Sequence, residues 1–492
     1  MIAMTACTSL SPDTHNEKPT STALPYQHNS PLDHYFSALS KKTPGETGFY
    51  PLEHGHDALL TRLALIESAQ ASLDLQYYIF RDDETTQLLS WRLFIAAERG
   101  VRVRLLLDDM QKRDDKVMAY INSHPNIEIR LFNPHQYRTA RGAAFLSDFD
   151  RLNHRMHNKS LTADNVASVI GGRNIGNEYF SFQSDVEFGD FDLLMHGEAV
   201  AAVSEQFDEY WNSDFAIPME WIYPNRTPLT SEAISDWVAS SKIEEQFTQG
   251  QYDFTQLPLY QKLVNAELSL FWGKAQLIYD SPNKVLGQGE PLKSGLTQFL
   301  SQTESELVLI SPYFVPTESG TQTLISAVEK GIEVTIITNS LASNDVFAVH
   351  GWYAKYRQVL IEGGVTLWEV KATADIDNSW SIKGSSNASL HAKVIVLDRS
   401  KIAVGSMNLD PRSAELNTEL AVLFEQPEYA QRALTQLYSK LNEKAYQVIV
   451  QEGELMWIDH AQSVQCDSEP DASLWLKMGA WISGWLPIES QL

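Results

Sequence analysis

The chain is predicted to fold as two tandem α/β/α domains, related by internal duplication, with mixed, mostly parallel sheets and one site packed between them. Three observations predict this. Short apolar runs alternate with helical patterns, the alternation occurs twice in the same order, and each half ends in the same polar residues at identical spacing. Short buried strands alternating with helices indicate a largely parallel sheet covered on both faces.

The N-terminal 48 residues are rich in Ser, Thr, Pro and Asn and are read as a polar tail. Two readings of Cys7 stand. Met1-Ile2-Ala3-Met4-Thr5-Ala6-Cys7 is either the remnant of a lipoprotein signal, placing the protein in a bacterial cell envelope, or incidental. In the second case the protein is cytoplasmic with peripheral membrane binding. Cys466 lies near the other end, so no disulfide framework is expected.

The first domain is assigned to residues 49–215. His54 and His56 precede a helix and are read as structural rather than metal-binding. Asp57 is placed to cap that helix, and Leu59, Leu60, Leu63 and Ile66 recur at helical spacing. Residues 73–80 (LDLQYYIF) form a buried strand, Thr86–Arg99 a helix stopped by Gly100, and 101–107 and 127–132 two further strands. A connecting segment, 216–275, carries Pro218, Pro224, Pro228 and Pro258.

The second domain, 276–447, repeats the order: strand 307–314, helix 320–330, Gly331, strand 332–338 and strand 365–370. Leu75 and Leu309 are 234 positions apart, Val103 and Val334 231, and His157 and His391 again 234. Offsets this collinear indicate duplication of a whole domain. In the extension 448–492, Leu474, Met478, Trp481, Ile482 and Trp485 share one helical face. That face either packs on the domain or lies in a membrane interface.

The repeated polar set is His157-x-Lys159, Asp164, then Gly171-Gly172-Arg173-Asn174, against His391-x-Lys393, Asp398, then Gly405-Ser406-Met407-Asn408. On a strand, His-x-Lys puts both side chains on one face. An imidazole beside an ammonium suits a phosphate: Lys neutralises the non-bridging oxygens and His attacks phosphorus or moves a proton. The Gly-x-x-Asn stretch lets backbone approach and adds an amide donor. Two half-sites supply a nucleophile and an opposing acid, chemistry that calls for no metal and no cofactor.

A formal charge of -25 argues against a nucleic-acid partner. Arg138, Arg141, Arg151, Arg155 and Lys159 nevertheless outnumber Asp148 and Asp150 before the first motif, with Phe145, Leu146 and Phe149 among them. This stretch is either a solvated loop or a loop over the site that attracts an anionic head group. Phe347, Trp352, Tyr353 and Tyr356 are candidate walls on the acceptor side, or a packed helix. No apolar run reaches the length of a membrane helix.

The motif pair resembles the HKD pair of the phospholipase D superfamily over nearly the whole chain from residue 50. Residues 151–159 (RLNHRMHNK), 171–180 (GGRNIGNEYF), 408–419 (NLDPRSAELNTE) and 486–492 (LPIESQL) narrow the resemblance to bacterial cardiolipin synthases of the C type. The resemblance implies a catalytic set of His157, Lys159 and Asp164 with His391, Lys393 and Asp398. It implies supporting roles for Asn174, Asn408, Ser406 and Gly172, the last departing from the usual Ser. It also implies a carboxylate behind each catalytic His, here Glu419 and, in the first half, Asp192. The expected reaction moves a phosphatidyl group from phosphatidylethanolamine to phosphatidylglycerol through a phosphohistidine, with His157 as nucleophile by analogy. A phospholipase D-type hydrolase is the alternative. Phospholipids are the expected partners at a peripheral membrane site, and one chain carries both half-sites, which predicts a monomer.

Overall fold

The apolar runs form the centres of two sheets in a computed structural model, which describes residues 17–138, 141–142, 148–181, 187–224, 254–372 and 388–492 apart from 40–44. In the first half β1 is Thr47–Leu52, β2 Ser72–Tyr77, β3 Arg102–Asp108, β4 Ile127–Phe132, β5 Ser160–Ala163, β6 Ala167–Gly171, β7 Glu187–Gly189, β8 Asp192–Gly197 and β9 Ala216–Pro218. In the second, β10 is Phe271–Tyr279, β11 Glu306–Ile310, β12 Glu333–Asn339, β13 Thr366–Val370, β14 Ala388–Leu390, β15 Val394–Leu397, β16 Lys401–Gly405, β17 Leu420–Glu425 and β18 Ala445–Gln451.

Strand order in the first sheet is β1-β8-β6-β5-β2-β3-β4-β9, and in the second β10-β17-β16-β15-β11-β12-β13-β18. The two match strand for strand up to β18, beyond which the second sheet continues through Glu454–Asp459 and Val464–Cys466. Within these two sheets, among the described residues, β2-β3-β4 and β11-β12-β13 are the parallel neighbours, joined by helical crossovers such as Glu84–Glu98 and Thr317–Glu329. The motif strands form tight hairpins, β5-β6 and β15-β16, and are antiparallel.

The halves are fused rather than merely adjacent. β1 pairs antiparallel with β8 on one side and β10 on the other, so Gly48 lies between His196 and Trp272. Phe49 packs on Phe424 at 4.4 Å and Tyr429 at 5.3 Å, both from the second half. Ile170, Phe191 and Leu193 share one apolar core with Val394, Val404 and Val422.

Three boundaries differ from expectation. The segment read as a tail is partly built in: helix Pro31–Leu39 buries Leu32 and Phe36, one turn apart, in the first core. Arg104 donates to the Ser21 carbonyl at 3.0 Å, and the Ala23 amide to Asp208 at 2.7 Å. An average composition hides two well-placed apolar residues. β9 extends the first sheet past residue 215 by pairing with β4, and β18 carries the second sheet past 447 by pairing with β13. Cys7, Phe145 and Leu146 lie outside the described residues.

Helix Leu474–Trp485 packs by small residues. Ala480, Ser483 and Gly484 are buried, and the Ala480 carbonyl lies 2.1 Å from where a Cβ on Gly351 would stand. This close approach turns the other face outward. Leu474 is 79 % exposed, Trp475 78 %, Trp481 66 % and Trp485 75 %.

Candidate active site

Each motif histidine is held by the opposite half. Met156 bridges Thr418 in parallel, and the His157 amide donates to the Thr418 carbonyl at 2.8 Å. Likewise β14 pairs with β7, and the His391 amide donates to the Gly189 carbonyl at 2.7 Å. The residue after each contacted carbonyl is acidic. His157 Nδ1 therefore meets Glu419 at 2.9 Å, and His391 Nδ1 meets Asp190 at 2.5 Å. All four groups are buried.

This corrects the assignment of Asp192. Its carboxylate accepts from Arg62 at 2.9 Å and lies 3.3 Å from Arg173, deep in the first domain. The register shows why Asp190 is the partner. Gly171 pairs with Asp192 and Gly405 with Ala421, so Asp192 corresponds to Ala421 and Asp190 to Glu419. The loop between β6 and β8 is longer than its counterpart between β16 and β17, so distance along the chain does not align the two carboxylates. Matching the buried Phe191 to Leu420 was the available signal.

Gly172 and Ser406 follow from the two carboxylates. Ser406 Oγ donates to Glu419 at 2.5 Å. A Cβ on Gly172 would stand 2.2 Å from Asp190 Oδ1, so the position must be bare for Asp190 to reach His391.

Asp164 and Asp398 are corrected as well. They are not gathered at the histidines. Each sits in the hairpin turn behind its motif with positive φ, 53° and 49°. Asp164 accepts from the amides of Gln70, Ala71 and Ser72 at 2.8–3.2 Å. Asp398 accepts from Glu304, Ser305 and Glu306 at 2.7–3.0 Å. A carboxylate suits this place because it satisfies several backbone donors at the start of β2 and β11 and tolerates the left-handed turn.

Lys159 and Lys393 are buried, and each ammonium donates to the carbonyl of its own His at 2.5 Å. Lys393 Nζ also lies 3.1 Å from His391 Nδ1. Burial lowers Lys159 to about 7, with Glu419 opposing. Burial also lowers Lys393. Burial, then Lys159 and Lys393, hold the His157 imidazole well below its usual value. Burial followed by Lys393 lowers His391, against Asp190. The two carboxylates differ. Burial pushes Glu419 up to about 7. Burial works against the Asp190 charge too, but His391, Lys393 and Arg173 outweigh it and hold it at about 2.

Asn174 is turned to local support: its amide donates to the Tyr179 hydroxyl and its carbonyl accepts from the Ile79 amide, both at 3.0 Å. Asn408 is buried beside Ser413, whose hydroxyl accepts its backbone N–H at 3.3 Å. Two residues were not anticipated. Tyr78 stands edge-on to His157 at 4.9 Å, and Tyr179 edge-on to His391 at 5.4 Å.

The stretches singled out by resemblance converge here. Arg412 donates to Asn153 at 2.7 Å and to the Gln491 carbonyl at 2.8 Å, so the C-terminal residues close over the junction of the halves. The basic stretch is largely neutralised within its own domain: Arg138 pairs with Asp109 and Asp115, Arg141 with Asp109, and Arg151 with Asp148. Tyr353 is core, donating to Glu369 at 2.8 Å, whereas Phe347 is 46 % exposed.

The arrangement offers two imidazoles, each oriented through Nδ1 by a carboxylate and each accompanied by a buried ammonium group. Such a site can stabilise a phosphoryl group in transfer.

The chain is similar to known proteins. Residues 63–211 and 296–441 match the family model described as "Cardiolipin synthase, PLD-like domain". Cardiolipin synthase C of Escherichia coli (strain K12) is 37% identical over 92% of this chain and 97% of its own length. Cardiolipin synthase of Geobacillus kaustophilus is 28% identical over 75% of this chain and 61% of its own. Among solved structures, phosphatidylserine synthase of Haemophilus influenzae Rd KW20 shares the fold, with a TM-score of 0.60 at 14% identity over 94% of this chain and 100% of that one. The duplicated domains, the crossed histidine–carboxylate pairs and these matches agree: the chain belongs to the PLD-like cardiolipin synthase family and is an enzyme of the phospholipase D superfamily.

Proposed function

We propose that the protein transfers a phosphatidyl group from phosphatidylethanolamine to phosphatidylglycerol, giving cardiolipin and ethanolamine. The observation that carries this reading is the crossed pairing of His157 with Glu419 and His391 with Asp190 around two buried lysines. His157 is the nucleophile. Its pKa lies well below the usual value, so it is neutral at pH 7, and Glu419 receives the charge as the ring becomes a phosphoryl-imidazolium. His391 gives its proton to the departing alcohol and takes one from the incoming hydroxyl, as reversibility requires. Lys159 and Lys393 neutralise the non-bridging oxygens. The exposed tryptophan face of helix Leu474–Trp485 supports docking on a bilayer, with Trp rings at the level of the head groups. Both half-sites come from one chain, so a monomer suffices.

The test is purified enzyme on mixed phosphatidylethanolamine and phosphatidylglycerol vesicles, with products followed by mass. Cardiolipin and free ethanolamine should rise together, and His157→Ala and His391→Ala should each abolish both. Phosphatidic acid as the main product at every phosphatidylglycerol level would replace this reading with a phospholipase.

A further inference from the structure

The two histidines have differently charged surroundings. On the His157 side the Asp108 carboxylate, and after it the guanidinium groups of Arg155 and Arg412, act on the Tyr78 hydroxyl, and Asp108 is itself paired with Arg155 at 3.5 Å. On the His391 side the further carboxylate is Asp345, bound by the Tyr313 hydroxyl. Its place is set by Asn339, whose amide donates to the Leu390 carbonyl at 2.9 Å and reaches the Pro312 carbonyl at 3.4 Å. The Asn339 carbonyl accepts from the Leu390 amide at 2.9 Å and from Ser343 Oγ at 3.2 Å. One side chain thus clamps together the residues just before Tyr313, those just before His391 and the loop leading to Asp345.

The loop is closed by Tyr313, whose hydroxyl donates to Asp345 Oδ1 at 2.7 Å. Asp345 is exposed, while Tyr313 is half-buried and near Tyr179, the ring edge-on to His391. The Asp345 charge is felt at both His391 and Lys393. A carboxylate near a phosphate-binding pair of lysines works against an anion there. It has a use if part of the substrate on that side is cationic. A carboxylate beside tyrosine rings is a favourable setting for an ammonium group.

We propose that Asp345, with Tyr313 and Tyr179, forms the subsite for a protonated amine on the leaving head group of the donor lipid. The assignment rests on the transferase reading and deepens it. His157 Nε2 forms its bond to phosphorus as the bond from phosphorus to the head-group oxygen breaks. The leaving oxygen departs on the opposite side and takes the proton from His391 Nε2. The head group therefore lies by His391, its ammonium two carbons beyond the leaving oxygen and directed to Asp345.

The experiment compares two donors in vesicles, phosphatidylethanolamine and its N-acetylated form, which keeps the head group and lacks the charge. Release of the head-group alcohol is counted whether lipid or water accepts the phosphatidyl group. The wild type should prefer the amine, and Asp345→Asn should lower the ratio of kcat/KM for the two donors about tenfold, the scale of one hydrogen bond to a charged group. Tyr313→Phe should lower the ratio in the same direction by less. An unchanged ratio in Asp345→Asn, or a wild type indifferent to the charge, overturns the subsite. A protein that releases ethanolamine with full preference but makes only phosphatidic acid overturns the transferase reading and leaves the subsite standing.

Discussion

Asp190 and His391, 201 positions apart and in different domains, meet at 2.5 Å, while Asp192, two residues on, pairs instead with Arg62 and Arg173 of the first domain. Residues two apart share a face of a continuous strand, but Asp190 lies before β8, whose first residue is Asp192, so the two carboxylates meet different partners and their roles are separable by mutation. Asp190→Asn should leave the protein folded and lower kcat by roughly 10²–10⁴, the range for an acid that orients a catalytic imidazole. Asp192→Asn strands two buried guanidinium groups and should cost about 3–5 kcal/mol of stability. The fraction that remains folded should keep most of its kcat. Denaturant unfolding and kinetics on both variants check this; a purely thermal defect in Asp190→Asn would remove it from the site.

Asp164 and Asp398 should behave as structural residues despite belonging to the repeated motif. Replacing Asp164 by Ala orphans three backbone donors at the start of β2 and should cost roughly 2–3 kcal/mol. Asp398 is less buried, so Asp398→Ala should cost less. Activity per folded molecule should change little in either. A large drop in kcat without loss of stability would restore them to the chemistry.

The kcat/KM profile for a phosphodiester should be bell-shaped near neutrality. Lys159, lowered to about 7 by burial, loses its charge as pH rises through that value, so the alkaline limb reflects loss of the cation that holds the phosphate. Glu419, raised to about 7, gains a proton as pH falls, so the acid limb reflects loss of the anion behind His157. Lys159→Arg keeps its charge and should carry the alkaline limb upward by more than one pH unit. An unmoved limb would assign it to another group.

Trp475, Trp481 and Trp485 are exposed and stand on a helix that packs against Gly351, outside the motif strands. Replacing all three by Ala should reduce flotation with liposomes by about tenfold or more, given the apolar area each ring can bury. Turnover of a detergent-dispersed short-chain substrate should stay close to wild type. Equal flotation of the variant would move the membrane contact elsewhere.

The duplication, the paired His and Lys of each motif and the central strands were legible in the chain because they rest on local rules. Alternation places His and Lys on one strand face, apolar runs mark β2–β4 and β11–β13, and matched offsets reveal the repeat. The partner of each histidine was not legible. It depends on which strand of the other half lies alongside, and a hairpin register separates Asp190 from Asp192 by a shift of two residues. Likewise Asp164 and Asp398 share the motif's spacing but not its location, since a turn carries them to the far end of the hairpin. The outward tryptophans also needed the packed helix pair. Sequence shows that one face of Leu474–Trp485 is apolar, but the close approach of Gly351 to Ala480 decides that the small-residue face is the one buried.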